Sequence, residues 1–286
     1  MSQLELIPCE EYDGIKWPTF ISFRTKGAER VLEDVMAFQS KETDILICTS
    51  CKSGTHWIYE ITKMLLNNAV DFVESKGRRM LEMIPDLSEL DSVPTPRVLF
   101  THVPFQYLPK KHIENKGKIV HIVRNPKDVM VSFYHHAQHD KFVIDLKLPW
   151  NEYFEVWMSG KIPYGSWYDY ELGMVQAEND NPGIMYTCSY EEMKKDPVKE
   201  IKKLADYLEV DCSDQTIEGI AKASSFDNMQ KNKFDATSAI NNGKGFIYRK
   251  GEIGDWKNHF TVAQNERFEE AHNEKMKNSK YTFSFE

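Results

Sequence analysis

Two segments far apart in this chain carry the side chains best suited to chemistry, and both are suited to an anion. The first, residues 49–57, contains a Lys-Ser-Gly-Thr run between an apolar stretch and a helical pattern that begins at Thr55. The start of a helix offers unpaired backbone N–H groups and a partial positive charge. Gly54 lets the backbone approach an anion closely, and Lys52 and Ser53 add donors. A strand, this loop and a helix together predict a phosphate-binding site.

The loop differs from the Walker sequence of proteins that bind nucleoside triphosphates. In that pattern Lys follows the second Gly, whereas here Lys52 precedes Gly54 and no second Gly comes before it. We therefore expect the anion to be held differently from the tail of a nucleoside triphosphate.

The second segment, residues 249–258, begins with two cations and a Gly in what the composition indicates is a loop. Arg249 and Lys250 could neutralise a second phosphate, and Gly251 would allow its close approach. The net charge of the chain is −8, so local clusters of cations must attract an anionic ligand against the overall field. The same balance argues against a general nucleic-acid surface.

Together the two segments resemble the cytosolic sulfotransferases. Members of that family carry a Lys-Ser-Gly-Thr loop near the N-terminus and an Arg-Lys-Gly-x-x-Gly-Asp-Trp-Lys segment near the C-terminus. This chain has both, and the order of motifs agrees from about Gly14 to Lys277. The resemblance implies an enzyme that moves the sulfuryl group of 3′-phosphoadenosine 5′-phosphosulfate (PAPS) to a hydroxyl or amine of a small acceptor and releases PAP. It also implies that the two segments hold the two phosphate groups of this donor.

The elements that must position these segments alternate along the chain. The predicted strands cover residues 44–49, 97–101, 118–123 and 184–189. The predicted helices cover residues 55–67, 126–139, 151–159, 190–208, 214–221, 225–232 and 263–278. Such alternation predicts one α/β domain over residues 1–286, with a central parallel sheet flanked by helices and a phosphate-binding loop like that of P-loop kinases. Ligands of such sheets bind beyond the carboxyl ends of the strands, where the loops at Cys51, His102, Arg124 and Tyr190 begin.

The composition agrees with a single domain. The 286 residues are 41% hydrophobic and 28% charged, and no linker or repeat divides them. The start of the sequence lacks a signal pattern, and no apolar run reaches the roughly 18 residues that a membrane span needs. Five cysteines without an Asn-x-Ser/Thr site suit a reducing compartment. We expect a cytoplasmic protein with free thiols and without a membrane or nucleic-acid partner.

The resemblance extends the donor site beyond the two segments. Arg124 and Ser132 match residues that bind the 3′-phosphate, although the sequence alone leaves open an Arg124 paired with Asp128. Trp57 and Phe226 match rings that stack on the adenine, although a ring of this kind taken alone is more often part of the core. By resemblance, the whole donor site comprises Lys52, Ser53, Gly54, Thr55, His56, Trp57, Arg124, Ser132, Tyr190, Ser224, Phe226, Arg249, Lys250 and Gly251.

The catalytic base is predicted to be His102. Transfer to a hydroxyl or amine requires removal of a proton, and an imidazole suits this task near neutral pH. A lone His is otherwise more often structural, but the His-x-Pro context of His102 matches the base of the family. By resemblance, Lys52 and Ser132 complete the catalytic set, with Lys52 neutralising charge on the leaving oxygen. Ser53 would restrain Lys52 before the acceptor arrives, and no metal is required.

Three departures from the family pattern surround this centre. Cys51 stands where the family usually has Pro, His56 where it usually has Thr, and Phe100 where it often has Lys. Without Pro the loop should be less rigid before it binds the donor. His56 either still donates to the 5′-phosphate or makes donor affinity depend on pH, and Phe100 removes a cation near the sulfuryl group. A nucleotide-binding homologue without catalysis therefore stays an alternative.

Residues 48–51 also form a Cys-x-x-Cys pattern at a strand-to-helix junction, where thiol oxidoreductases keep their redox pair. Cys48 lies within the apolar strand and the pair directly precedes the Lys-Ser-Gly-Thr run, so this alternative is weaker. The neighbouring Lys52 nevertheless predicts a lowered thiol pKa at Cys51 and sensitivity to oxidation.

Three histidines on one helix, His135, His136 and His139, raise the alternative of a metal site. No Cys or carboxylate completes a strong signature, which favours a helix that lines a polar pocket. The resemblance places Phe133, His136 and Asp140 in the acceptor pocket and suggests that Asp140 draws a cationic or strongly polar acceptor. Loops at residues 80–90 and 233–245 shape this pocket, and no pattern in them identifies the acceptor.

A final pattern, formed by Lys257, Thr261, Val262 and Glu266, matches the segment through which the family forms homodimers. Local sequence alone favours an ordinary helix start with Thr261 as N-cap. With the resemblance, we expect a homodimer.

Overall fold

A four-stranded parallel sheet lies at the centre of this computed structural model, which describes residues 9–72, 79–140, 146–232 and 245–286. Near the N-terminus, β1 (Glu11–Tyr12) and β2 (Ile15–Lys16) form a short antiparallel hairpin. The strands of the central sheet are β3 (Ile45–Cys48), β4 (Val98–Thr101), β5 (Lys118–Val123) and β6 (Met185–Ser189). They lie in the order β4-β3-β5-β6 and all run parallel, which confirms the predicted fold class.

The α-helices of the described residues surround this sheet. In chain order they are α1 (Ile21–Lys26), α2 (Ala28–Ala37), α3 (Thr55–Leu66), α4 (Lys110–Glu114), α5 (Pro126–His139), α6 (Trp150–Met158), α7 (Trp167–Asp180), α8 (Tyr190–Lys195), α9 (Pro197–Leu208), α10 (Asp214–Ala223), α11 (Phe226–Asn232) and α12 (Val262–Met276).

Alternate side chains of each strand point to opposite faces of the sheet, and helices cover both faces. Ile45 and Ile47 pack against α3, α9 and α10 on one face. Leu46 and Leu99 pack with α1, α2 and α7 on the other face. A third apolar cluster joins α5, α6 and α12 beside the sheet. Because both faces are buried, the carboxyl edge of the strands is left as the place for a site.

The predicted single helix over residues 190–208 is wrong, because two helices cover this stretch. Pro197 has no N–H to donate and holds the preceding residue out of helical geometry. Asp196 adopts φ −141° and ψ 76°, and its side chain accepts a hydrogen bond from the Lys199 N–H at 3.1 Å. Pro197 therefore ends α8 and begins α9.

The longest helix that the sequence analysis missed is α7 (Trp167–Asp180). Its buried positions include the tyrosines Tyr168 and Tyr170 and the acid Glu171, so an apolar period of 3.6 residues is not visible. The short helices α1, α2 and α4 and the N-terminal hairpin were also missed.

The two loops expected to shape the acceptor pocket, residues 80–90 and 233–245, differ in how much of them the structure describes. The first contains 3₁₀ helices at Leu81–Met83 and Leu87–Ser92. The second, apart from Gly245, lies outside the described residues. Within the described part of the chain, no helix combines the length and the apolar character needed to cross a membrane.

Candidate active site

A cavity of about 560 Å³ lies at the carboxyl edge of the sheet. It is lined by residues from both phosphate-binding segments and from the loops after β4, β5 and β6. The predicted site residues on its wall are Lys52, Gly54, Thr55, His56, Trp57, His102, Arg124, Ser132, Phe133, His136, Asp140, Tyr190, Ser224, Phe226, Arg249, Lys250 and Gly251. Segments that are about 200 residues apart in sequence thus share one cavity, as expected for loops at this edge.

The loop between β3 and α3 is a tight left-handed turn. Lys52 adopts φ +71°, which is uncommon for a residue with a side chain, and Gly54 adopts φ +115°. A Cβ on Gly54 would lie 3.0 Å from the Tyr190 ring, so Tyr190 packs directly on the loop backbone. The helix α3 begins at Thr55. The N–H groups at the start of a helix lack the partners that later residues have, so they are available to a ligand.

Ser53 does not face the cavity. Its side chain is fully buried, and its Oγ lies 2.7 Å from Ser50 Oγ behind the loop. Any contact of Ser53 with a ligand would therefore be made by its backbone.

The Lys52 ammonium points across the cavity to α5. Its Nζ lies 3.2 Å from His136 Nδ1, and His136 Nε2 lies 2.8 Å from Asp140 Oδ2. If Nδ1 accepts from the ammonium, Nε2 carries the imidazole hydrogen and donates to the carboxylate. His136 is thus a contact of the Lys52 ammonium, whereas the Ser53 hydroxyl lies against Ser50 behind the loop.

His102 follows β4 with one ring nitrogen engaged and the other on the cavity side. Nδ1 lies 2.8 Å from the Thr49 carbonyl oxygen, to which it donates, and this leaves the Nε2 lone pair available. Burial lowers the pKa of His102 to about 4. The hydrogen bond to Thr49 acts in the opposite direction, whereas the nearby Lys52 and His136 lower the pKa further. The ring is therefore neutral near pH 7, as a proton acceptor must be.

Glu82 supports His102 from behind and was not identified from the sequence. This fully buried carboxylate accepts hydrogen bonds from the His102 N–H and from the Thr101 hydroxyl, both at 2.8 Å. Burial raises its pKa despite these bonds. The sequence signal for a buried acid was a single Glu within the mostly apolar residues 80–84. No motif links this Glu to the histidine.

The second segment is held in place by one buried acid. Asp255 accepts from Arg249 Nη2 at 2.6 Å, from Lys250 Nζ at 2.5 Å and from Asn258 Nδ2 at 2.9 Å. Burial alone would raise the pKa of Asp255, but these donors outweigh it and hold the pKa far below its usual value. Gly251 at φ +66° packs on Phe226 so closely that a Cβ would lie 2.2 Å from the ring.

Arg124 connects the two segments. It donates to the Lys52 carbonyl at 3.2 Å and to the Glu252 carbonyl at 3.1 Å, and its guanidinium lies 4.2 Å from the centroid of the Tyr190 ring. The alternative partner Asp128 instead accepts from backbone N–H groups of the second segment, from Gly254 at 2.7 Å. Arg124 thus lies between the expected positions of the two phosphates.

The residues present fit a nucleotide with two anionic groups. Lys52, Arg124, Arg249 and Lys250 bring four cations to the wall of one cavity. Cations in this number suit two phosphate groups, because each phosphate accepts several charge-assisted hydrogen bonds. Gly54 and Gly251 let the Tyr190 and Phe226 rings pack directly on the backbone of the two loops beside these cations.

The expected oxidation of Cys51 is contradicted by its surroundings. Burial raises the pKa of the Cys51 thiol well above its ordinary value, and Lys52 lowers it only in part. Burial raises the pKa of Cys48 as well, and both thiols are free. Because the thiolate is the reactive form, neither cysteine has the character of a redox residue.

The three histidines of α5 separate in the structure. His136 pairs with Asp140, whereas His135 Nε2 lies 3.3 Å from His259 Nε2. Over the described ranges, no group of three or more His, Cys, Asp or Glu side chains is placed to hold a metal ion.

Comparison with known proteins agrees with this geometry. Residues 42–280 match the model of the sulfotransferase domain family. Sulfotransferase 1C2 of Rattus norvegicus is 36% identical over 269 residues, which cover 88% of this chain and 89% of that protein.

Solved structures give the same result for the fold. A mouse sulfotransferase complexed with PAP matches with a TM-score of 0.77 at 32% identity and covers 95% of this chain and 96% of its own. A retinol dehydratase in complex with androsterone and the inactive cofactor PAP has a TM-score of 0.76 at 20% identity, covering 89% and 88% of the two chains. This last likeness concerns the fold alone.

Proposed function

The chain belongs to the sulfotransferase family and is a PAPS-dependent sulfotransferase, and from this premise we propose that His102 is the general base of its transfer reaction. The reaction moves a sulfuryl group to a hydroxyl or amine of a small acceptor by in-line displacement. The observation that carries the proposal is that both phosphate-binding segments and a neutral histidine converge on one cavity.

The two segments would each hold one phosphate of the donor. The turn at Lys52 and the first N–H groups of α3 suit the 5′-phosphate. Arg124, Ser132 and the segment that begins at Arg249 suit the 3′-phosphate. The latter cations are already paired with Asp255, which fixes their position before the ligand arrives.

The rings around the cavity would hold the adenine. Trp57 lies edge-on to Tyr190 at 5.2 Å between ring centroids, and Phe226 packs on Gly251. Flat walls of this kind stack on a base, and Tyr190 and Ser224 would add hydrogen bonds.

The donor supplies the sulfuryl group and a phosphate leaving group. His102 Nε2 takes the proton of the acceptor hydroxyl or amine, while the hydrogen bond from Nδ1 to Thr49 holds the ring in the required tautomer. The Lys52 ammonium neutralises the charge that develops on the leaving oxygen. In the structure this ammonium lies 3.2 Å from His136 Nδ1, and because an ammonium has more than one hydrogen it can donate to His136 and to the leaving oxygen together.

The acceptor would bind between His102 and α5. Apolar side chains such as Phe20, Met83 and Phe100 line the cavity, together with the polar pair of His136 and Asp140. We propose a largely apolar acceptor with a cationic or strongly polar group directed at Asp140. An Asp140→Ala variant should then lose at least about ten-fold in kcat/KM for amine-bearing phenols and much less for neutral phenols. Equal losses for both groups would contradict this role.

We further propose that the protein acts in the cytoplasm as a homodimer formed through residues 257–266. The five free thiols agree with a reducing compartment. The start of α12 is a capping box of Thr261 and Gln264 that leaves the neighbouring Val262 77% exposed.

The central experiment measures transfer of labelled sulfate from PAPS to a panel of phenols, alcohols, steroids and amines. Wild-type protein should sulfate part of the panel, and His102→Ala should lose at least about 100-fold in kcat while it still binds PAP. Binding is measured by calorimetry, so a folding defect is distinguished from loss of the base.

The other outcomes are equally informative. A wild-type protein that binds PAP and sulfates nothing on the panel would favour the nucleotide-binding homologue without catalysis. A His102→Ala variant with wild-type rates would exclude His102 as the base.

A further inference from the structure

A buried polar cluster lies directly behind the phosphate-binding turn, outside the cavity. His121 is in the central strand β5, opposite Cys48 of β3, where an apolar residue would be ordinary. Glu171 reaches it from α7, and both side chains are fully buried with His121 Nε2 3.0 Å from Glu171 Oε2. A pair of buried polar side chains in this position needs a reason, because polar groups are costly to remove from water.

Two serines connect this pair of side chains to the phosphate-binding loop. Glu171 Oε1 accepts the Ser50 hydroxyl at 2.7 Å, and Ser50 Oγ lies 2.7 Å from Ser53 Oγ. The carboxylate can only accept, so the single hydroxyl hydrogen of Ser50 goes to Glu171. Ser53 must therefore donate to Ser50. The hydrogen bonds from Ser53 to Ser50 and from Ser50 to Glu171 thus form a relay with a fixed direction.

These two serines close the turn that carries Lys52. The Ser53 N–H donates to the Ser50 carbonyl at 3.3 Å, which makes Cys51 and Lys52 the two central residues of a β-turn. Lys52 at φ +71° has the positive φ that the second central residue of a type II turn requires. Gly and Asn are favoured there, so a Lys at this position is strained and needs surrounding contacts to hold it.

The first central position of the turn is Cys51, a residue that does not fix its own φ angle. Pro is common at this position because its ring fixes φ, and Cys51 leaves that angle free to rotate. We propose that Glu171, anchored by His121, is a positioning residue that replaces this constraint: through Ser50 and Ser53 it holds Lys52 in the conformation that presents its backbone and ammonium to the donor.

The inference rests on the proposed donor site, and PAP binding measured by calorimetry tests it. Glu171→Val removes the acceptor of the relay and should raise the Kd for PAP at least about ten-fold. Glu171→Gln keeps an acceptor oxygen and should stay within about three-fold of wild type. Tyr281→Phe is the matched control, because its hydroxyl lies 3.4 Å from His121 Nδ1, whereas Glu171 is contacted by the other ring nitrogen, Nε2. It should bind PAP like wild type.

A second pair of variants covers the case in which Glu171→Val does not fold. Ser50→Ala breaks the relay beside the turn and should also raise the Kd for PAP at least about ten-fold. Adding Cys51→Pro restores the constraint on the turn without restoring the relay, and should recover most of the affinity.

The proposal is overturned if Ser50→Ala or a folded Glu171→Val binds PAP as tightly as wild type or more tightly. Tighter binding would mean that the carboxylate acts on the donor by charge repulsion and not by positioning. A wild-type protein that does not bind PAP would instead refute the donor site itself, so the two failures are distinguishable.

Discussion

His102 owes its basic character to burial, and the pH dependence of the reaction should report this. An imidazole accepts a proton only when it is neutral, so activity is lost as pH falls through its pKa. Because burial lowers that pKa to about 4, the His102 ring of the free protein should titrate near pH 4 and not near the usual 6.5, and the acid limb of kcat/KM should lie between these two values once the anionic donor is bound.

The measurement is kcat/KM for an accepted phenol at saturating PAPS between pH 4 and 8. Negative charge on the bound donor should raise the pKa of His102 and so shift the acid limb to higher pH. The free protein is therefore examined in parallel by NMR titration of the His102 ring. A ring that titrates near pH 6.5 without ligand would contradict the burial described for His102.

The loop at residues 249–254 contains two glycines in the left-handed region, and they allow a matched comparison. A Cβ on Gly251 would lie 2.2 Å from Phe226, whereas a Cβ on Gly254 would meet its nearest atom, the Phe285 carbonyl oxygen, at 3.5 Å. Both substitutions by Ala carry the left-handed cost of about 1–2 kcal/mol. Only Gly251→Ala also displaces a wall of the proposed adenine site.

We therefore expect Gly251→Ala to raise the Kd for PAP at least about ten-fold and Gly254→Ala to change it by less than about three-fold. Calorimetry gives the affinities, and urea denaturation should show the larger loss of stability for Gly251→Ala, because its clash with Phe226 adds to the left-handed cost that both variants share. Equal affinities for PAP would mean that Phe226 is not part of the donor site.

The strands and the helices beside the cavity could be predicted because their apolar residues keep a regular period. The predicted bounds of β5 and α5 agree with the structure at every residue. Prediction failed where buried polar residues interrupt the pattern: Glu171 conceals α7, and Glu82 lies in a segment without a repeating element. Contacts between distant segments, such as that of Lys52 with His136, cannot be read from spacing at all.

The start of α12 is the part of the surface where two copies of the molecule are proposed to meet. Val262→Glu should yield a monomer, because a charge buried at the centre of a small apolar contact is costly. Val198→Glu is the control, since Val198 is also exposed, at 38%, but lies on α9 away from this segment. Sedimentation velocity gives the oligomeric state, and PAP binding should be unchanged in both variants. A monomeric wild type would refute the dimer.

The stability of the whole molecule should depend on its buried histidines. Burial is the largest cause that lowers the pKa of His102, His135 and His272, in each case to about 4. In the unfolded chain these groups take up protons near pH 6.5, so between pH 6.5 and 4 the unfolded state binds more protons. Stability is therefore lost as pH falls through this window. The raised pKa values of Glu82 and Glu191 act in the opposite direction but involve fewer groups.

We expect Tm to fall by about 5 °C or more between pH 7 and pH 5, measured by calorimetry at constant ionic strength. His272→Phe isolates one contribution, because the His272 ring stacks on Phe268 with an interplanar angle of 15° and a phenyl ring keeps this contact. The variant should lose only part of the pH dependence, since it removes one of the five described histidines whose pKa burial lowers. A Tm that is constant from pH 7 to pH 5 would mean that these rings titrate in the folded protein as they do in the unfolded chain.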